Sequence, residues 1–249
     1  MLEIFADGSH KNICLNDLSE GHMVETNQHI ISHGEEMICL DPGGHKIFNK
    51  LFKRMTSIGS LRNLKYFFFS HQDPDIIAAA NGWLMATDAT GFLPEVWMRF
   101  ITHFGVDAMV IDRIIPIKDE GMTLTLGDCE LKIIPAHFLH SPGNFQVYDP
   151  IAKILYSGDL GASVEANIPL VEDFDGHIQY MEGFHKRYMP STKALKMWVN
   201  TVRDMDIETI APQHGSLFKG REMVNRFIDW VDSLECGLDL MGDSFIIPE

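Results

Sequence analysis

Leu64-Lys65-Tyr66-Phe67-Phe68-Phe69-Ser70-His71-Gln72-Asp73-Pro74-Asp75 decides how the rest of the chain is read. Its first half is an apolar, aromatic run of strand length. Its second half opens a helix and places one imidazole and two carboxylates within five residues. Loops that follow strands commonly carry functional side chains, because the scaffold fixes them. A plainer reading covers part of the same stretch. Asp73 serves as the helix N-cap with Pro74 in the first helical position, and Asp75 complements the helix dipole. Taken alone, the stretch supports a helix start and a metal site about equally.

Downstream, Ile76, Ile77, Ala80, Leu84 and Met85 share one face of a helix that begins at Pro74. Pro94 to Met98 reads as a strand, followed by a short helix. Upstream, the first 42 residues read as short strands. Thr26 to His33 and Glu36 to Asp41 flank the turn His33-Gly34. Asp41-Pro42-Gly43-Gly44 is a loop. Ile47, Leu51, Met55 and Ile58 then predict a helix over 45–58.

From residue 113 to 157 the chain reads as successive strands: Arg113 to Ile117, Met122 to Leu126, Glu130 to Pro135, Gln146 to Tyr148 and Lys153 to Tyr156. Helices return at His177 to Tyr188 and Ser191 to Met205. A strand, Glu208 to Ala211, and a last helix, Arg221 to Leu234, complete the pattern. No repeat or Pro/Gly/Ser-rich linker divides it, so one domain over 1–249 is expected. This order suits an α+β protein in which two mixed sheets lie face to face with helices outside.

Three later positions weigh toward a metal. His140 ends a strand-like segment at Leu139-His140-Ser141-Pro142-Gly143. Asp159 follows a strand at Tyr156-Ser157-Gly158-Asp159, and His214 follows another at Ala211-Pro212-Gln213-His214-Gly215. Singly, each is an ordinary turn or surface residue. Four strand-end loops that all offer ligands are harder to explain that way.

Composition limits the partners. A net charge of -15 lacks the basic footprint that nucleic acid requires, so no nucleic-acid partner is expected. The apolar runs are too short to span a bilayer. The N-terminus, Met1-Leu2-Glu3-Ile4-Phe5-Ala6-Asp7, has no basic start of a signal peptide. Cys14, Cys39, Cys129 and Cys236 form no CxxC pair, so reduced thiols in a cytoplasmic protein are expected.

The ordered set His71, Asp73, Asp75, His140, Asp159 and His214 resembles the metallo-β-lactamase superfamily pattern HxHxDH…H…D…H. It is closer to the flavodiiron branch, where the first motif reads HxExD. Ser157-Gly158-Asp159 and Ala211-Pro212-Gln213-His214-Gly215 also resemble that branch. The resemblance spans nearly the whole chain and looks most like the branch's stand-alone oxygen-binding proteins. It implies a four-layer αββα sandwich with two iron ions. His71, Asp73 and His140 are implied ligands of one ion, Asp75 and His214 of the other, and Asp159 of both.

The donor set bears on the metal. Asp73 stands where zinc hydrolases have a second histidine, and carboxylate oxygens suit oxidised iron and dioxygen chemistry. The branch usually has Glu at the position of Asp73, and a histidine where this chain has Ile76. The second ion is therefore expected to have fewer protein ligands. His29, His33, His137 and His185 are candidates to fill that gap. His10, His22, His45, His103 and His177 have no ligand-like context. Tyr188 is read as a packed helical residue or a hydrogen-bond donor near the site, and Asp41 as a turn residue or an orienter of the ligands.

The flavodoxin domain that brings FMN to flavodiiron proteins has no room in this sequence, so no FMN is expected in the chain. The leading expectation is a diiron protein that binds dioxygen as a sensor. Its partner would be a signalling protein, with chemotaxis as one context. A second reading is an O2 or NO reductase that depends on a separate flavoprotein electron donor. A third is a dizinc hydrolase. The branch's habit of head-to-tail pairing also implies a homodimer.

Overall fold

The computed structural model describes residues 1–166 and 168–248. Among the described residues, thirteen strands form two sheets. The first sheet holds β1 (Leu2–Asp7), β2 (His10–Leu15), β3 (Gln28–His33), β4 (Glu36–Leu40), β5 (Leu64–Phe68), β6 (Thr90–Pro94) and β7 (Ile114–Ile117), in that order. Its first four strands pair antiparallel, and β4 to β7 run parallel. Parallel neighbours need crossovers, and helices supply them. These are α1 (Phe48–Ile58), α2 (Pro74–Ile77), α3 (Ala80–Ala86) and the short α4 (Glu95–Met98).

The second sheet holds β8 (Met122–Leu126), β9 (Cys129–Pro135), β10 (Phe145–Asp149), β11 (Ile154–Gly158), β12 (Thr209–Pro212) and β13 (Phe218–Lys219). In it β11 and β12 pair parallel, and the other named strands pair antiparallel. Their crossover contains α5 (Phe174–Tyr188) and α6 (Thr192–Val202), and α7 (Arg221–Ser233) follows β13.

The layering follows from side-chain alternation. Along β4, Met37 and Cys39 enter one core with Leu51 and Met55 of α1, while Ile38 and Leu40 enter another with Leu131 and Val147 of the second sheet. Along β11, Leu155 packs with Leu195 and Phe227 of the second helical layer, and Tyr156 faces the first sheet's core. Three cores thus separate four layers in the order αββα. Strands buried on both faces read as continuous apolar runs, which is why Leu64 to Phe69 shows no polar alternation.

Two expected elements differ. The helix from Pro74 breaks after Ile77, because the Ala79 amide turns to the Gly43 carbonyl at 3.4 Å. Met85, expected on the buried face, is 54% exposed. Pro94 to Met98 is a strand end followed by a helix. Pro94 pairs with Ile117 as the last residue of β6, and its ring suits the start of a helix.

Candidate metal centre

The parallel strands set the site. In open sheets, functional groups gather at the carboxyl ends of parallel strands. Here β4 ends beside Asp41, and β5 ends before His71, Asp73 and Asp75. Asp159 follows β11 and His214 follows β12. Gly158 (φ 58) and Gly215 (φ 77) take the left-handed turns that aim Asp159 and His214 inward. The two sheets are joined at this end, where the Phe145 amide donates to the Ser70 carbonyl at 3.1 Å. His140 does not end a strand as expected. It lies within the loop between β9 and β10, and Asn144 braces that loop through the Leu139 carbonyl at 2.5 Å.

The structure brings all six named side chains together, with Asp159 at the centre. Ligand atoms of His71, Asp73, His140 and Asp159 lie within 4.8 Å of one another. The Asp159 carboxylate faces two ways. Its Oδ2 is 2.8 Å from His140 Nε2 and 3.6 Å from His71 Nε2, while its Oδ1 is 3.6 Å from His214 Nε2. Asp75 Oδ2 lies 3.5 Å from the same His214 nitrogen. Asp73 does not act as a side-chain cap. Its Oδ2 lies 3.4 Å from His140 Nε2 and 3.6 Å from His71 Nε2. Asp73 does hold the N-cap position, with Pro74 first in the helix, and its carbonyl accepts from the Ile77 amide at 3.0 Å, which leaves the side chain to the site.

Within this cluster two buried side-chain atoms, His71 Nε2 and Asp159 Oδ1, have no hydrogen-bond partner. Leaving such groups unpaired is costly. Spacings of 3.4–3.6 Å are too long for good hydrogen bonds, yet they suit donors that share an ion at about 2.0–2.2 Å. The mixed imidazole and carboxylate set therefore fits a cation.

Electrostatics agree. Burial disfavours a charged His140, but hydrogen bonds and charge from Asp159 and Asp73 outweigh it and push its pKa up to about 10. His71 is raised in the same way against its burial, chiefly by Asp159. Burial raises Asp73 and Asp159, but the neighbouring imidazoles hold both carboxyls below their usual range. Protons thus occupy a place that suits a metal.

Outer contacts orient the candidate ligands. His71 Nδ1 meets Ser70 Oγ at 3.0 Å, and the Ser70 amide donates to Asp41 Oδ1 at 2.8 Å. Asp41 is therefore an orienter as well as a turn residue, held at φ 48. Its burial pushes the pKa up to about 6. His214 Nδ1 donates to the Glu25 carbonyl at 2.7 Å, which leaves Nε2 toward the site. A main-chain acceptor carries no side-chain signal, so the part played by Glu25 was invisible in the sequence.

None of the four histidines considered for the gap at Ile76 joins the cluster. His185 uses both nitrogens, donating to the Met181 carbonyl at 2.8 Å and accepting from the Gly161 amide at 2.9 Å. His29 turns to the Pro212 carbonyl, His137 to the Asp119 carbonyl, and His33 to His10 and Asp128. Ile76 is fully buried in the core beneath α1. A cavity of about 610 Å³ opens over the site, where Met23, Val24, Ile47, Phe184 and Tyr188 give it mainly apolar walls. Tyr188 stacks on Phe184 with centroids 4.7 Å apart, and its ring lies 5.7 Å from that of His140.

Residues 24–215 match the model of a family described as ODP family beta lactamase. The chain is similar to a solved structure described as the peroxy diiron species of chemotaxis sensor ODP. The two are 39% identical with a TM-score of 0.87, over 96% of this chain and 97% of that one. An apo state of chemotaxis sensor ODP from T. denticola is 38% identical with a TM-score of 0.86, over 96% of each chain. Rubredoxin oxygen:oxidoreductase from Desulfovibrio gigas shares the fold at 15% identity and a TM-score of 0.78, over 93% of this chain and 61% of that one. An uncharacterized protein of Methanocaldococcus jannaschii is 24% identical over 200 residues, 78% of this chain and 50% of the relative. The chain thus spans about half the length of that curated relative.

Proposed function

The chain belongs to the ODP family of β-lactamase-fold proteins, and from that premise we propose that it is a diiron protein that binds dioxygen and reports it to a signalling partner. The observation that carries this reading is the two-sided Asp159 carboxylate, with His71 and His140 at one oxygen and His214 at the other. Its similarity to structures described as a chemotaxis sensor, one as a peroxy diiron species, supports the ligand and the signalling context.

His71, Asp73 and His140 would hold one ion and Asp75 and His214 the other, with Asp159 held by both. Iron bound there supplies electrons and open coordination positions for dioxygen. The protein's own residues do the rest. Asp73, Asp75 and Asp159 balance the added positive charge. Ser70 and the Glu25 carbonyl hold His71 and His214 in a fixed orientation. His140, which Asp159 and Asp73 hold in its protonated form, would lose that proton on holding an ion. The mainly apolar cavity walls leave room for a small apolar gas beside the site. Ile76 stays in the core, so Asp75, His214 and Asp159 gain no further ligand from that position.

The signalling partner is proposed to belong to a chemotaxis-type pathway in the cytoplasm. Among the described residues, no helix is long and apolar enough to cross a membrane. Metal analysis of anaerobically purified protein tests the site. Two irons per chain are expected, and one zinc or two with no iron would overturn the reading in favour of a hydrolase.

A further inference from the structure

The loop that carries His140 also walls a second cavity. Residues 135–139 and α6 enclose a groove of about 650 Å³, lined mainly by apolar side chains that include Phe138, Leu139, Ala194, Met197 and Trp198. Phe138 is 52% exposed and Met197 63% exposed. Phe138 is also held at φ 69, a left-handed conformation that strains a bulky residue. Strain of this kind points toward function. It lies two residues before His140.

The same chain carries an exposed apolar segment. Phe245, Ile246 and Ile247 are 84%, 95% and 87% exposed, and such a run of large apolar side chains in water calls for a partner surface. The segment starts beside the groove. A short helix, Gly237–Leu240, anchors the chain there: the Leu238 amide donates to the Pro190 carbonyl at 2.9 Å, and the Thr192 amide to the Asp239 carboxylate at 2.5 Å. Pro190, Ser191 and Lys193 all line the groove. From Met241 to Ile247 an extended chain reaches about 20 Å. Charge is complementary as well, with Asp243 ahead of the apolar run and Lys193 on the groove wall.

We propose that residues 243–248 seat in this groove of their own chain, with Phe245, Ile246 and Ile247 covering Phe138, Met197 and Trp198, and so hold the loop that presents His140. In this structure the segment stands clear of the groove, so the chain has a free and a docked arrangement. The entropy lost on ordering a short segment is of the same order as the gain from burying its apolar side chains, which keeps docking reversible. A short tether gives an effective concentration near millimolar, so the segment outcompetes a second copy of the protein in dilute solution. Docking itself does not depend on the metal assignment; only its consequence for His140 does.

Paired cysteines test the seat. The four native cysteines are buried, which leaves Met197→Cys/Ile246→Cys and Ala194→Cys/Ile246→Cys as the accessible pairs. Full-length protein at low micromolar concentration is oxidised with diamide, digested and read by mass spectrometry. A disulfide within one chain is expected for at least one pair. No cross-link in either pair, or cross-links only between chains, would overturn the proposal. Phe245→Asp/Ile247→Asp alters side chains that are solvent-exposed in the free form, so the fold should tolerate it. Hydrogen exchange at the Phe138 and Leu139 amides, which donate to the Ser141 and Ala136 carbonyls, should then run roughly tenfold faster. Unchanged exchange would show that docking, if present, does not hold the loop.

Discussion

The two halves of the site are built differently. Around His71, Asp73 and His140 the ligand atoms converge with Asp159 within 4.8 Å, and the His71 side chain is fully buried. Around Asp75 and His214 the protein offers one carboxylate and one imidazole besides Asp159, and the Asp75 side chain is 37% exposed. The first half is the more crowded and contains the buried His71, and the second offers fewer protein groups; Asp73 and His140 line the cavity just as Asp75 and His214 do. A crowded half holds its ion tightly, whereas an open half leaves positions for an external ligand. The contrast suits a protein that binds a gas and keeps it.

Asp159→Ala tests the contrast most severely, because that residue serves both halves. Metal affinity should fall at least about 100-fold in both, read as iron per chain after dialysis. Retention of two irons would break the assignment. A smaller and asymmetric loss is expected from single ligands. His71→Ala should empty the first half. His214→Ala should spare that half and leave close to one iron per chain. Equal losses from the two variants would erase the distinction between the halves.

Protons give a third test. Among the protein groups alone, His140 is pushed up to about 10, so it is protonated at neutral pH and must lose that proton to a metal. Loading apo protein with ferrous ion should therefore release protons, measurable in weakly buffered solution. Affinity should fall about tenfold per pH unit for each proton displaced as the pH drops. Loading without proton release would mean that His140 is not a ligand.

Ile76→His probes the open half. The side chain is fully buried among Leu51, Met55 and Trp83, and placing a polar ring there should cost about 1–3 kcal/mol, read by chemical denaturation. Unchanged stability together with an altered iron spectrum would show that position 76 turns to the cavity after all. The smallest effect concerns two buried histidines outside the cluster. Burial lowers His29 and His185 to about 4, below the unfolded value of about 6.5. Unfolded chains therefore bind these protons first. Their contribution to stability is complete above the unfolded value and declines as pH falls from about 6.5 toward 4, by up to about 1.4 kcal/mol per pH unit for each histidine. His185→Gln should flatten that slope.

Much of this architecture was legible in the sequence because local signals and long-range placement agree. The aromatic run of β5, the strands from 113 to 157 and the helices near 174–202 all carry their own pattern. Most of the candidate ligands were legible because His71, Asp73, Asp159 and His214 sit just past strand ends, whereas Asp75 lies in the first turn of α2 and His140 within the β9–β10 loop. What stayed hidden depends on contacts between distant parts. The break between α2 and α3 comes from Gly43, far upstream of Ala79. β13 is two residues long and is defined by pairing with β12. The buried network in which Asp149 meets His10 and Asn12, each at 2.7 Å, joins residues more than a hundred positions apart. The apolar cavity walls are drawn from segments scattered between Met23 and Tyr188.

The most direct test of a site that binds and keeps dioxygen is the visible spectrum of anaerobic, iron-loaded protein as oxygen is admitted. The account predicts a new absorption band that forms with two irons present and decays slowly without any added electron donor. An unchanged spectrum, or a band that vanishes as fast as it forms, would contradict it.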